Sequence, residues 1–144
     1  MKKVSFIILC IVLFGCDSSD TNFQTFLKKY NGTVWLADDS PYYWRFRNNE
    51  ISPIEQWSKG VPDCYDYGMF NLPELNLKVD ENSNNRLVLR AIQEPEGSSY
   101  TITYIIDGNS MEMERVNETL DEVDIDTFTF TQAFDELDTF TLCE

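Results

Sequence analysis

Tyr100-Thr101-Ile102-Thr103-Tyr104-Ile105-Ile106-Asp107-Gly108-Asn109-Ser110-Met111-Glu112-Met113-Glu114 is the stretch that decides the fold class. Residues 100–106 are β-branched and aromatic, the side chains that fit a pleated, half-buried surface. Asp107-Gly108 is a favoured dipeptide of a tight hairpin. Beyond it Met111 and Met113 alternate with Glu112 and Glu114. Side chains along a strand point to opposite faces in turn, so this pattern places the methionines on a core face and the glutamates in water.

The same period of two runs outward in both directions. Upstream, residues 86–92 read as a strand, and Leu75, Leu77 and Val79 alternate with Asn76, Lys78 and Asp80. Tyr42, Trp44 and Phe46 alternate with Tyr43, Arg45 and Arg47, which predicts a half-buried strand with a basic outer face. Residues 33–37 form another strand, and Asp38 to Pro41 turn the chain between the two. Residues 51–57 are a further strand, with Pro53 suited to an edge or a bulge. Downstream, Thr and Phe alternate over 127–131; residues 133–138 hold a helical turn, and 140–143 return as a last strand. Phe23, Phe26, Leu27 and Tyr30 sit at helical spacing, with Asn22 placed to cap a short helix. The whole predicts an all-β chain of about eight or nine short strands joined by short turns, an antiparallel barrel or a sandwich.

The N-terminus carries a different message. Met1-Lys2-Lys3 precedes an apolar run from Val4 to Phe14, the n-region and h-region of a secretory signal. The run is shorter than the roughly 20 residues a bilayer-spanning helix needs. Leu13-Phe14-Gly15-Cys16 resembles a lipobox, which implies cleavage before Cys16 and a diacylglycerol, with palmitate-type chains, on its sulfur. Several acyl chains make attachment stable where one does not. Residues 1–15 are then the signal peptide, 16–22 a polar tether and 23–144 the folded domain. The expected address is the cell envelope, anchored by lipid, with the outer membrane favoured.

Composition narrows the function. The chain carries 25 Asp+Glu against 11 Lys+Arg, a net charge of −14, and loss of Lys2 and Lys3 with the leader makes the mature part more acidic still. Nucleic acids and anionic membrane surfaces are polyanions and are excluded as docking partners. Histidine is absent, which removes Ser-His-Asp and Cys-His catalysis and histidine metal sites. Cys10 leaves with the leader and Cys16 is lipidated. Cys64 and Cys143 remain as an even pair in an oxidising compartment, and a disulfide between them is expected.

Tyr30-Asn31-Gly32-Thr33-Val34-Trp35, opening a meander of strands behind a lipoprotein leader, resembles the lipocalin-like (calycin-type) bacterial lipoproteins. That resemblance implies an up-and-down β-barrel of about eight strands with a short N-terminal helix. It also implies that Gly32 and Trp35 stand where the group places a Trp to plug one end of the barrel, and it suits a cysteine near the C-terminus bridged to the barrel body. The spacing here is Gly-x-x-Trp rather than Gly-x-Trp, and no basic residue follows Arg115 to pack over the tryptophan.

The candidate site is aromatic. Tyr42, Trp44 and Phe46 are expected to share one strand face, with Trp35 nearby in a barrel, and the four to line a pocket for a small apolar or amphipathic ligand. The competing reading uses Trp57, Tyr65 and Tyr67, among turn residues, as exposed anchors for a protein or glycan. Neither reading calls for catalysis, a metal or a cofactor. Residues 107–112 faintly suggest a calcium loop but lack its ligand order, and a hairpin turn explains them better. The acidic residues from Glu118 to Asp126 are expected in a solvated loop and strand face.

Overall fold

A computed structural model describes residues 24–60, 63–134 and 137–144. The leader, Cys16, the tether and Phe23 lie outside the described residues. Helix α1 spans Phe26–Lys29. Nine strands follow: β1 Val34–Ala37, β2 Tyr42–Phe46, β3 Ile54–Lys59, β4 Tyr65–Met69, β5 Leu77–Asn82, β6 Arg86–Ala91, β7 Ser99–Asp107, β8 Ser110–Glu118 and β9 Val123–Ala133. A 3-10 turn over Leu137–Thr139 leads to the C-terminus.

All nine strands belong to one antiparallel sheet in the order β4-β3-β2-β1-β9-β8-β7-β6-β5. Strands that are neighbours in sequence pair, except β4 with β5, and the first pairs with the last, with Val34 opposite Ala133 and Ala37 opposite Phe130. This is the strand order of an up-and-down barrel unzipped between β4 and β5. The sheet is not closed, so the expected eight-stranded barrel is replaced by a nine-stranded sheet with two edges.

Several local expectations shift for identifiable reasons. The hairpin after β7 centres on Gly108-Asn109, one residue later than Asp107-Gly108, because Asp107 pairs with Ser110. Gly108 takes a positive φ of 59°, the requirement at the first central position of a II′ turn. Strand β3 starts at Ile54, after Pro53, which has no N–H to give a ladder. Leu75 falls in a turn rather than a strand, since Asn76 adopts the left-handed region (φ 57°) and ends the extended run before β5. A bulge between Val79 and Glu81 then carries β5 on to Asn82. Strand β9 begins at Val123, so Asp124 and Asp126 sit on a strand. The expected last strand is reduced to one parallel bridge between Tyr65 and Leu142. Thr25 occupies the N-cap position of α1 and makes no side-chain cap bond, while Asn22 lies outside the described residues.

In an antiparallel meander the turns alternate between two ends. Helix α1 covers the end holding the β2–β3, β5–β6 and β7–β8 turns. There the Leu27 N–H donates to Asn82 Oδ1 (3.1 Å), and the Phe26 ring meets Phe46 edge-on at 5.0 Å. The main core fills the concave face from this end: Phe26, Leu27, Trp35, Phe46, Ile54, Leu72, Leu87 and Ile106 are among its buried members. Burying such a side chain contributes about 1.5–3 kcal/mol. Residues 70–76 run from the covered end of β4 to the opposite end of β5 and so cross the open seam. Leu72 is buried beneath them, held by Leu72 N–H to Ile51 O and Leu77 N–H to Leu72 O.

A second, smaller core lies on the convex side. Val34 and Trp57 pack there against Leu137, with Tyr43, Tyr65 and Phe140 around them. The C-terminal segment therefore covers the outer face of β1–β4. Cys64 and Cys143 are joined by a disulfide that ties this segment down. Gly60 makes room for the bridge, since a Cβ there would lie 2.6 Å from Cys143 Sγ.

Candidate functional site: a concave aromatic cavity

Above the packed end, the concave face leaves a cavity of about 470 Å³. Ligand pockets commonly span roughly 300–1,000 Å³ and are mostly apolar. The floor is Trp44, Tyr104 and Phe130, with Trp44 centred 5.9 Å from Tyr104 and 4.7 Å from Phe130. Leu77, Leu89, Ile102 and Met113 continue the wall, and Phe70 closes it at the seam. The rim holds Tyr42, Tyr100, Phe128 and Arg115. Alternation explains the arrangement: Tyr100, Ile102 and Tyr104 are every second residue of β7, and Met113 stands directly between Tyr104 and Phe128 in the ladder.

The four aromatics expected to line a ligand site divide into two pairs. Tyr42 and Trp44 stand in the cavity wall. Trp35 and Phe46 lie beneath it in the packed core. Trp35 leans toward α1, where its indole N–H donates to Thr33 Oγ1 (3.0 Å) and its ring meets Tyr30. Tyr104, Gln56, Tyr100 and Arg115 were not singled out from sequence. The β7 alternation is the signal that could have marked Tyr100 and Tyr104; nothing local marks Gln56.

Polar groups are few inside. Gln56 of β3 stands opposite Trp44 on one side and Gly68 on the other, and its side-chain amide pairs with no group among the described residues. Among the described residues, Arg115 is the single charged one in the wall. Its Nε and Nη2 both donate to Asp126 Oδ2, and it lies 5.8 Å over the Phe128 ring. The hydrogen bond that Arg115 donates to Asp126 raises the Arg115 pKa, against a smaller opposing effect of burial.

Two floor donors, Trp44 Nε1 and Tyr104 Oη, are buried without a hydrogen-bond partner among the described residues. Burial pushes the Tyr104 phenol well above its ordinary value, and nearby Tyr100 adds to the shift. An unpaired buried hydroxyl costs about 1–3 kcal/mol. Tyr104→Phe is therefore expected to leave the midpoint of denaturant unfolding unchanged or to raise it, where loss of a paired hydroxyl would lower it. Below about pH 10 Tyr104 holds its proton in both folded and unfolded chains and adds no pH dependence. Above that, the unfolded phenol ionises while the folded one does not, so stability falls as pH rises. The Phe variant should lose that part of the alkaline decline; an unchanged pH profile would contradict it.

On the convex face, Trp57 is 7% exposed and Tyr67 is 44% exposed, while Tyr65 is half-buried with Phe140 stacked on it at 4.0 Å. These three do not form one open platform. Beside them, Arg45 and Glu55 are 8% and 4% exposed and bond at 2.5 Å. Glu55 also pairs with Arg47 (2.8 Å) and accepts from the Tyr67 hydroxyl (3.4 Å), and Arg45 reaches Asp138 of the C-terminal segment (2.9 Å). Burial opposes the charge on Arg45, but its bonds to Glu55 and Asp138 outweigh that and hold its pKa above the ordinary value.

Among the described residues, no group of three or more His, Cys, Asp or Glu is placed to hold a metal ion, and no helix is long and apolar enough to cross a membrane. No protein-family model matches the chain, and comparisons with curated proteins and with solved structures yield no significant match.

Proposed function

We propose that the chain is a lipid-anchored, lipocalin-like envelope protein whose concave face holds a small apolar or amphipathic ligand without acting on it chemically. The cavity carries this reading: a molecule of this size with a packed core at one end keeps about 470 Å³ of aromatic-walled space at the other. Water gains little from such a surface, whereas an apolar ligand exchanges its own hydration for contact. The strand order, that of an unzipped up-and-down barrel, supports the lipocalin-like part. The lipobox-like Leu13 to Cys16 supports the anchor.

The test is a titration of the full chain with N-phenyl-1-naphthylamine, a neutral dye that emits when it leaves water. Saturable binding is expected. Ala37→Phe, which fills space from the wall, should weaken it at least tenfold, whereas Cys16→Ser should release the protein from the membrane fraction and leave dye binding intact. Emission that does not saturate, or that ignores Ala37→Phe, would remove the cavity from the proposal. Membrane attachment that survives Cys16→Ser would remove the anchor.

A further inference from the structure

The cavity wall is chemically unlike the rest of the chain. The protein carries 25 carboxylate residues, yet none of those among the described residues stands in the wall, and the single described cation there, Arg115, already has Asp126 bonded through two of its nitrogens. The pair is close to neutral. An anionic group entering the cavity would meet no free positive charge, would approach the Asp126 carboxylate, and would do so in the field of a strongly acidic protein. Leaving water without a partner costs an ion far more than it costs an uncharged polar group.

Besides the Ser40, Tyr42 and Tyr100 hydroxyls and the buried Trp44 Nε1 and Tyr104 Oη, the wall holds one side-chain amide among the described residues. Gln56 presents an amide, both donor and acceptor, with no partner among the described residues. Its own ladder neighbours leave it accessible. Trp44 flanks it on the β2 side; on the β4 side stands Gly68, where an added Cβ would meet nothing within 4 Å. Residues directly opposite in a ladder share a face, so the bare position lies on the concave side with Gln56. An apolar body among Trp44, Ile102, Met113 and Phe130 would therefore bring its one polar group to this flank.

Building on the cavity reading above, we infer that the ligand is an uncharged amphiphile, with an apolar body and a single neutral hydrogen-bonding group such as a hydroxyl, carbonyl or amide, and that the Gln56 amide recognises that group.

A matched pair of dyes tests this on the full chain. N-phenyl-1-naphthylamine and 8-anilinonaphthalene-1-sulfonate share one ring system and differ by the sulfonate. The neutral dye should bind at least tenfold tighter. Gln56→Met should weaken the neutral dye about fivefold, the worth of one hydrogen bond, and leave the sulfonate unchanged. Gly68→Leu, which crowds the same flank from β4, should give a similar loss and serves if the Gln56 variant folds poorly. Asp126→Asn, which frees Arg115, should tighten the sulfonate severalfold. Equal or tighter binding of the sulfonate by the unmodified chain overturns the inference of a neutral ligand while leaving the cavity reading intact. A neutral preference that survives both Gln56→Met and Gly68→Leu overturns the role of Gln56. Failure of both dyes to bind overturns the cavity reading and this inference with it.

Discussion

Replacing Glu55 with alanine is expected to cost about 3–5 kcal/mol of unfolding free energy, the loss typical of breaking a buried ion pair from one side. Glu55 is the hub of the convex face: Arg45, Arg47 and Tyr67 all converge on its two oxygens. Removing it strands the Arg45 guanidinium under Trp57 and the C-terminal segment, with the exposed Asp138 the one other described carboxylate paired with it. The cost comes from the charge left behind rather than from the worth of the pair. Arg45→Met together with Glu55→Leu should therefore lose much less than Glu55→Ala alone. Urea unfolding of the three proteins checks this. If the double variant falls as far as the single one, the pair itself, and not the orphaned charge, supplies the stability. Salt offers a second check, because a buried pair is screened far less than a surface one. Between about 0.05 and 0.5 M salt the contribution of Glu55 should hardly change, unlike that of the half-exposed Arg90–Asp80 pair.

The second large effect concerns the Cys64–Cys143 bridge. It spans 79 residues, and the chain-entropy model assigns roughly 4 kcal/mol to closing a loop of that length. A domain of ordinary stability has about 5–15 kcal/mol in total. The double variant Cys64→Ala/Cys143→Ala is thus expected to be folded but marginal, with a thermal midpoint lowered by well over ten degrees. The loss should also have a location. Residues 137–143 are held to β2–β4 by the bridge, by Leu137 and Phe140 in the small core, and by Asp138 on Arg45. Without the bridge this segment should become the first site of proteolysis and expose Trp57, seen as a red shift in tryptophan emission. Equal stability of the oxidised protein and the double variant would mean that packing alone retains the segment. The bridge and the Arg45–Asp138 contact hold the same piece of chain, so their removal should not be additive.

Much of the sheet is legible in the sequence because alternation is a local property. Tyr42, Trp44 and Phe46 could be placed on one face from their spacing alone, and the structure puts them on the concave side. The hairpin between β7 and β8 was also visible, although its centre slid by one residue, since Asp-Gly and Gly-Asn both satisfy a tight turn. What alternation cannot show is depth. Trp44 and Phe46 are two residues apart on one face, yet the first borders a cavity and the second packs under Phe26, because α1 covers only one end. Trp57 looked exposed amid turn residues; it is buried by a segment 80 residues further along, which no window around Trp57 contains. Gln56 was unremarkable for a related reason. Its significance rests on its ladder neighbours Trp44 and Gly68, and each belongs to a different strand. The open seam was equally hidden, because it arises where residues 70–76 climb from one end of the sheet to the other, and Asn76 gives only a local hint.

The pairing of β1 with β9 has a further consequence, for the order in which the molecule can be made. Strands β1 to β4 form one continuous meander and β5 to β9 another, each able to assemble from near neighbours as the chain emerges. The ladder that joins them needs residues 130–133 beside residues 34–37, so it must wait until nearly the whole chain has been delivered. Closing so long a loop is entropically slow compared with forming hairpins. The disulfide links the same two halves, from Cys64 beside β4 to Cys143 beyond β9. A chain crossing a membrane in extended form would therefore finish as two half-sheets that dock late, and the oxidation that seals them would come last.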